Sequence, residues 1–212
     1  LVSWCVGHLV SPMDAGGYDE RFKKWRYDDL PILPEPFRYV LALGKEDAFE
    51  NLRTLMNRPD VDTIVNACDA GREGELIFRL MYEMAGYRKP VLRLWISSME
   101  DSAIREGFSD LRPGTDYEAL YQSALCRQKA DWLVGINATR LFSVLYHRTL
   151  NVGRVQTPTL AMLAERDTKI TLFHKEKYHL LRLTLDGAEA VSEKFTDPTE
   201  AEQAAATCKG AA

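Results

Sequence analysis

Apolar and polar positions along the chain change rhythm several times, and each change predicts an element. The opening Leu1-Val-Ser-Trp-Cys-Val-Gly-His-Leu-Val10 is apolar and β-rich, is ended by Ser11-Pro12, and reads as a strand of a larger sheet. Residues 11–37 form a Pro- and Gly-rich loop carrying the aromatic-basic cluster Arg21-Phe-Lys-Lys-Trp-Arg26, whose aromatics pin it to the domain body. Between Lys45 and Asn57, Phe49, Leu52, Leu55 and Met56 recur at helical spacing. Asp62-Thr-Ile-Val-Asn-Ala-Cys68 has the pattern of a short buried strand, with Asp69 at its carboxyl end. After the tight turn Ala70-Gly-Arg-Glu-Gly74, a helix is expected from Glu75 to about Ala85, closed by Gly86. Val91-Leu-Arg-Leu-Trp-Ile96 is a second strand. Ser98 is placed to cap the next helix, with Asp101 three residues on. This alternation of strand and helix implies a parallel α/β sheet.

Beyond Arg112-Pro-Gly114 the period lengthens. Residues 116–147 read as one or two long helices, Gly153 breaks the pattern, and Pro158 opens a helix to about Lys169. His179 to Leu185 alternates like a strand, and Thr199 to Thr207 is helix-like. The expected layout is an α/β domain over 1–112, a helical domain over 113–173, and the start of a β-containing domain over 174–212.

Composition narrows the class. The 212 residues are 46% hydrophobic, 27% charged and 10% aromatic, which argues against a wholly disordered chain. No run approaches the ~20 apolar residues of a membrane span, so no membrane is expected as partner. Leu1 is not a start Met, and no charged segment precedes an apolar stretch, so a signal peptide is not expected. Cys5, Cys68, Cys126 and Cys208 lie far apart without a CxxC pair, the usage of a reduced, intracellular protein with no disulfide framework or zinc knuckle.

The net charge of -4 alone discourages a nucleic-acid reading, but the charge is segregated. Residues 1–120 hold 15 basic and 21 acidic side chains, giving -6, whereas residues 121–170 hold 7 and 3, giving +4. Residues 171–212 hold 5 and 7, giving -2. A polyanion responds to local charge, so the middle stretch suits one although the whole chain is acidic. An ordinary solvated helical face with a modest Lys/Arg surplus fits the same numbers.

The segment Asp69-Ala-Gly-Arg-Glu-Gly-Glu75 carries the most chemistry. Three carboxylates within seven residues repel one another unless a cation relieves them, and hard oxygen ligands suit Mg²⁺ shared with water and phosphate. Strand ends are where open α/β sheets place ligands. Asp69 and Glu73 are therefore the candidate metal ligands and catalytic carboxylates, with Glu75 as the lesser candidate. Arg72 is placed to contact phosphate or to pair with a neighbouring acid. The alternative is structural: Glu73 and Glu75 favour a helix N-terminus and Asp69 caps it.

Asn66-Ala-Cys-Asp-Ala-Gly-Arg-Glu-Gly-Glu-Leu-Ile77 resembles the acidic motif of the Toprim domain in type IA DNA topoisomerases, closest to the bacterial topoisomerase III branch. Ser3-Trp-Cys-Val-Gly-His-Leu9, Lys24-Trp-Arg-Tyr-Asp-Asp-Leu-Pro-Ile32 and Arg93-Leu-Trp-Ile-Ser-Ser98 agree in order. Arg127-Gln-Lys-Ala-Asp-Trp-Leu-Val-Gly-Ile-Asn-Ala-Thr-Arg140 and Val152-Gly-Arg-Val-Gln-Thr-Pro-Thr-Leu160 resemble that family's helical domain, and the likeness spans roughly 1–173. Two departures stand out. The family pattern is Asp-x-Asp-x-Glu, and Gly71 replaces the middle acid, which puts a second metal in doubt. The family's Glu-Lys-Pro strand and its later Tyr-Pro-Arg-Thr-like nucleophile segment are absent, and none of the nine tyrosines stands in that context.

The resemblance implies a Rossmann-like Toprim sheet followed by a helical domain. It also implies a bacterial, cytoplasmic, nucleoid-associated or mobile-element-encoded monomer that breaks, passes and reseals single DNA strands with Mg²⁺ and without ATP. A chain without the nucleophile is expected to be inactive alone. It implies that Arg127 contacts DNA while Asp131 orients it; the bland alternative is an ion pair one helical turn long. Arg154, Gln156 and Thr157 are implied donors to the single strand, at a helix start suited to phosphate. Arg140 and Arg148 would screen phosphates generally. Trp132 and Asn137 read as packing and helix-end residues, with Asn137 also within possible reach of DNA. His8 is equally structural or catalytic. The competing function is a noncatalytic Toprim module that binds single-stranded DNA; another Toprim enzyme, a primase or nuclease, is disfavoured by the Arg127–Thr157 motifs.

Overall fold

The computed structural model describes residues 1–185 and 187–209, in two compact units, Leu1–Pro158 and Thr159–Ala212. In the first unit, β1 (Val10–Pro12) pairs antiparallel with β2 (Tyr39–Leu41) in the register Val10↔Leu41. Between them lie the single helical turn α1 (Ala15–Tyr18) and two 3-10 turns, Glu20–Lys23 and Tyr27–Asp29. The expected strand over 1–10 is thus reduced to its last residue. Leu1, Val2, Trp4 and Val6 are exposed, and a strand with no neighbour to pair and no face to bury is not held by apolar composition alone.

Helix α2 (Glu46–Asn57) buries Phe49, Leu52 and Met56, the face its spacing predicts. Strand β3 (Ile64–Asn66) leads into the acidic turn and helix α3 (Arg72–Met84). The helix begins three residues before the expected Glu75, with Gly71 as its N-cap, and Gly86, at φ +74°, ends it in a conformation that glycine adopts freely. Strand β4 (Val91–Arg93) lies parallel to β3, with Ile64 opposite Val91. Helix α4 (Asp101–Ser109) follows, with Glu100 rather than Ser98 at the N-cap position and no side-chain cap; the Ser98 hydroxyl accepts from the Glu100 N–H at 3.3 Å. Strand β5 (Arg112–Pro113) then adds antiparallel to β4. The parallel β-α-β unit is therefore present with a short antiparallel edge.

Helix α5 (Glu118–Tyr146) is a single long helix, and its Tyr121 and Ala124 complete the core built by Leu9, Val10, Phe49, Leu52, Ile64, Leu76, Phe78, Leu80 and Met81. The expected boundary at 112/113 is accordingly no break in packing, because the start of α5 shares the apolar core of the α/β portion. A second, smaller cluster of Ala15, Phe22 and Ile32 packs on Trp132 and Ile136 of α5. Trp132 meets Tyr18 and Phe37 edge-on at 6.0 and 5.4 Å, and Asn137 clamps Ile32, accepting its N–H at 2.6 Å and donating to its carbonyl at 3.0 Å. The Pro- and Gly-rich loop is thereby fastened along α5.

Helix α6 (Gln156–Thr171) starts two residues ahead of the expected Pro158. The second unit also holds an antiparallel pair, β6 (Arg182–Leu185) and β7 (Ala188–Val191), with Leu183 opposite Ala190. Helix α7 (Pro198–Cys208) is capped by Asp197, whose carboxylate accepts from Thr199 N–H at 2.8 Å. Residues 210–212 of the expected third domain lie outside the described residues. No helix among the described residues is long and apolar enough to cross a membrane.

Candidate functional site

The acidic turn hangs from the carboxyl end of β3 and is fixed from beneath by Arg93. That side chain is fully buried, and its guanidinium donates to the carbonyls of Asn66 at 3.0 Å, Cys68 at 2.7 Å and Asp69 at 2.6 Å. One cation thus holds three carbonyls at the end of β3 and in the turn that follows it. Its Nε lies 3.1 Å from Glu75 Oε2, and Glu75 also accepts from Asn66 Nδ2 at 2.9 Å and from Arg79 Nε at 2.9 Å. Burial lowers the Arg93 pKa from its ordinary value, and the Glu75 charge opposes that shift. An isolated buried charge would be costly, but here each ion has a partner and hydrogen bonds.

Gly74 is required for the turn to close. A Cβ at that position would stand 2.2 Å from the Asp69 carbonyl oxygen and 2.8 Å from its nitrogen, so the first turn of α3 packs directly on the Asp69 backbone. The side chains of Asp69 and Glu73 remain exposed. Among the described residues the Asp69 carboxylate has no ion-pair partner, and Glu73 has His8 Nε2, 3.7 Å from its Oε2. Arg72 is exposed and has no ion-pair partner among the described residues. No cluster of three or more His, Cys, Asp or Glu suited to a metal is present among the described residues. Two exposed carboxylates, Asp69 without an ion-pair partner among the described residues and Glu73 facing His8, nevertheless match the oxygen-donor chemistry with which Mg²⁺ is held beside water and phosphate.

The second group of charges lies on α5 and the segment that folds back on it. His147, in the left-handed conformation at φ +51°, reverses the chain after α5. Leu150 N–H then donates to Ser143 Oγ at 2.9 Å and Val152 N–H to Thr139 Oγ1 at 2.9 Å, so the returning strand of chain runs back along the helix. The reversal carries Arg154 to Asp131, with Nε 2.6 Å from Oδ1, while Arg127 Nε stands 3.6 Å from Oδ2 of the same carboxylate. The hydrogen bond from Arg154 holds the Asp131 carboxyl below its ordinary value, aided by the charge of Arg127. All three side chains are partly open to solvent, at 37% to 42% exposure, so the guanidiniums keep donors available. Gly153 N–H donates to Thr157 Oγ1 at 3.0 Å and Thr157 N–H to Gly153 O at 3.2 Å, which ties the start of α6 into a compact turn. Gln156 is exposed at the first position of that helix.

Of the residues singled out in the sequence, Asp69, Arg72 and Glu73 share the acidic turn, and Arg127, Asp131, Arg154, Gln156 and Thr157 share the α5–α6 corner. Glu75 differs from both groups: it is 1% exposed and engaged by two guanidiniums and an amide, an anchor of the turn beneath its surface. Arg140 does not screen phosphates. It is 4% exposed, donates to the Phe22 carbonyl at 2.7 Å and lies under Trp25, because the loop over 19–32 covers it. Asn137 is spent on Ile32. Arg93 has the largest organising role, which neither its place in a strand nor the motif it opens reveals. Its signal was a lone cation inside the apolar run Val91-Leu-Arg-Leu-Trp-Ile96, which needs a buried anion to exist there.

Comparison with known proteins places these features in context. A family model described as DNA topoisomerase matches residues 115–212. DNA topoisomerase 3 of Bacillus subtilis (strain 168) is 49% identical over 187 residues, 88% of this chain and 26% of the relative. DNA topoisomerase 3 of Bacillus thuringiensis (strain Al Hakam) is 42% identical over 203 residues, 92% of this chain and 28% of the relative. The chain thus spans about a quarter of the length of the curated relatives it matches. Among solved structures, full-length topoisomerase I from Thermotoga maritima matches with a TM-score of 0.57 at 25% identity, over 94% of this chain and 32% of that one.

Proposed function

From the DNA topoisomerase family match over 115–212 and the 49% identity to DNA topoisomerase 3 of Bacillus subtilis, we propose that the chain is of the type IA DNA topoisomerase family, on its topoisomerase 3 branch, and forms the Mg²⁺-binding and strand-binding portion of an enzyme that breaks, passes and reseals single DNA strands without ATP. The observation that carries this reading is the Arg127–Asp131–Arg154 cluster, two half-exposed guanidiniums aimed by one carboxylate within the stretch where positive charge collects. A guanidinium held in this way is a directional phosphate donor. Gln156 and Thr157, at the start of α6, add donors where a helix N-terminus favours an anion.

In the acidic turn, Asp69 and Glu73 are the residues that would hold Mg²⁺. When bound, the ion would offset phosphate charge and orient a phosphodiester and a free 3′ end. The chain's own contribution is positional: Arg93 fixes the backbone that presents Asp69, Gly74 lets the helix approach it, and Glu75 keeps Arg93 charged in the interior. Arg72 and His8 are the neighbouring groups able to meet a phosphate or to balance Glu73. No tyrosine of the chain is assigned as nucleophile. A noncatalytic module that binds single-stranded DNA would use the α5–α6 corner in the same way but has no need of Asp69 and Glu73.

Calorimetry separates these two readings. Asp69→Ala together with Glu73→Ala is expected to abolish Mg²⁺ binding by the 212-residue chain while leaving single-strand binding in place. Binding equal to the parent's in the double variant would remove the metal assignment from this turn.

A further inference from the structure

The face of α5 that carries Arg127 and Asp131 does not end with them. Arg127, Asp131, Val134, Ala138 and Leu141 recur at alternating intervals of four and three residues, which places them on one stripe of the helix. The 3-10 turn at Tyr27 and the residues after it face the apolar part of that stripe. Between them opens a pocket of about 500 Å³, with Tyr27, Leu30 and Pro31 on one wall and Val134, Ala138 and Leu141 on the other. Its size is that of a small-ligand site, and its mouth is wet, since Tyr27 is 58% and Val134 40% exposed. Asn137 also borders it, but both amide hydrogens go to the carbonyls of Ile32 and Leu133, and its oxygen accepts the Ile32 N–H. That clamp holds the loop against α5, so the pocket is formed in advance of any occupant. Val134 follows Asp131 by three residues, about 5 Å of helix rise, so the apolar wall begins within one turn of the guanidinium cluster.

We infer that this pocket receives one unstacked nucleobase of a single strand whose phosphates lie on Arg127 and Arg154, with Tyr27 as its stacking partner. The inference rests on the proposed placement of the strand at the α5–α6 corner and adds a base-binding subsite to it. Two half-exposed guanidiniums beside an exposed ring and aliphatic walls suit an anion joined to a flat aromatic group, which is the chemistry of a nucleotide. A duplex keeps its base faces stacked on one another, so the occupant belongs to a single strand, whose bases can be splayed out onto an aromatic side chain. With the Asn137 amide already spent, the subsite grips a base through its face and not through its edges. It therefore tolerates any base and responds to whether a base is present.

The test is fluorescence anisotropy of the whole chain with an end-labelled oligothymidylate and with an abasic strand of the same length and charge. The parent should bind the intact strand more tightly than the abasic one. Tyr27→Ala should weaken binding of the intact strand by about fivefold or more and leave the abasic strand unaffected. Its salt slope should match the parent's, because no phosphate contact is lost. Tyr27→Phe, which keeps the ring, should bind as the parent does, and all three proteins should share one urea midpoint. A parent indifferent to the loss of bases would overturn the subsite and leave the pocket to a segment of polypeptide. Tyr27→Ala acting equally on both strands, or on neither, would also overturn it, with the strand still on the corner. A parent that binds neither strand would overturn the corner placement and the subsite together.

Discussion

The acidic turn and the α5–α6 corner both depend on arginine, and they use it in opposite ways. Arg93 is fully buried and spends its donors on the backbone of Asn66, Cys68 and Asp69, so the turn is held from within while the side chains of Asp69 and Glu73 stay exposed. Arg154 and Arg127 are half exposed, aimed by Asp131 but still wet, so their donors can be shared with a ligand. A buried cation that fixes backbone leaves the carboxylates above it exposed, whereas a half-exposed guanidinium aimed by a carboxylate keeps donors facing water. Burial decides which role a given arginine takes. The two regions should therefore fail differently when altered, the turn through the fold and the corner through binding.

The largest expected effect follows from breaking the buried pair. Arg93→Ala leaves Glu75 with one cation fewer in the interior and should lower unfolding stability by about 3–5 kcal/mol, read as a fall in the urea midpoint. A midpoint close to the parent's would mean that Arg79 alone satisfies Glu75. Next comes Gly74→Ala, whose new Cβ meets the Asp69 backbone at 2.2 Å. A cost of about 1–3 kcal/mol is expected, together with weaker Mg²⁺ binding and unchanged single-strand affinity. Loss of strand binding in this variant would show that the two regions are not separate.

At the corner, Arg154→Ala should leave the urea midpoint in place and flatten the salt dependence of single-strand binding by about 0.7 in log–log slope, one phosphate contact. A drop in stability with an unaltered slope would turn the Arg154–Asp131 pair into a structural one. The smallest effect concerns Asp131. Its carboxyl titrates below the ordinary 3.8 because Arg154 hydrogen-bonds it, so the pair is complete above that value and is lost as pH falls through the lowered one. In Arg154→Ala the midpoint, followed by carboxyl NMR, should rise toward 3.8. No movement would leave Arg127 as the dominant partner.

The pattern of residues showed the helices well where amphipathic spacing was strong. Phe49, Leu52 and Met56 define α2, which has a face to bury, whereas α5 buries only Tyr121, Ala124, Arg140 and Ser143 and was legible from an unbroken stretch without proline between Glu118 and Tyr146. Leu1 to Val10 misled for the complementary reason: apolar strand composition carries no information about whether a partner strand is present. The acidic turn was visible as a local string, and so were Arg127 and Asp131, one helical turn apart. The pairing of Asp131 with Arg154 was not visible, since it depends on the reversal at His147 and the Thr139 and Ser143 hydroxyls that hold the returning chain. Arg140 looked like a surface cation because the sequence does not show the loop that covers it. Glu75 looked like a third ligand because its engagement by Arg93 crosses from helix to strand. Long-range pairing, rather than local propensity, is what separates a free charge from a structural one.

The most direct test is the salt dependence of single-stranded DNA binding by the chain and by its Arg127→Ala, Arg154→Ala double variant. Loss of two phosphate contacts should reduce the log–log slope by about 1.4 while the urea midpoint stays with the parent. Equal slopes for the two proteins would contradict the placement of the strand on the α5–α6 corner.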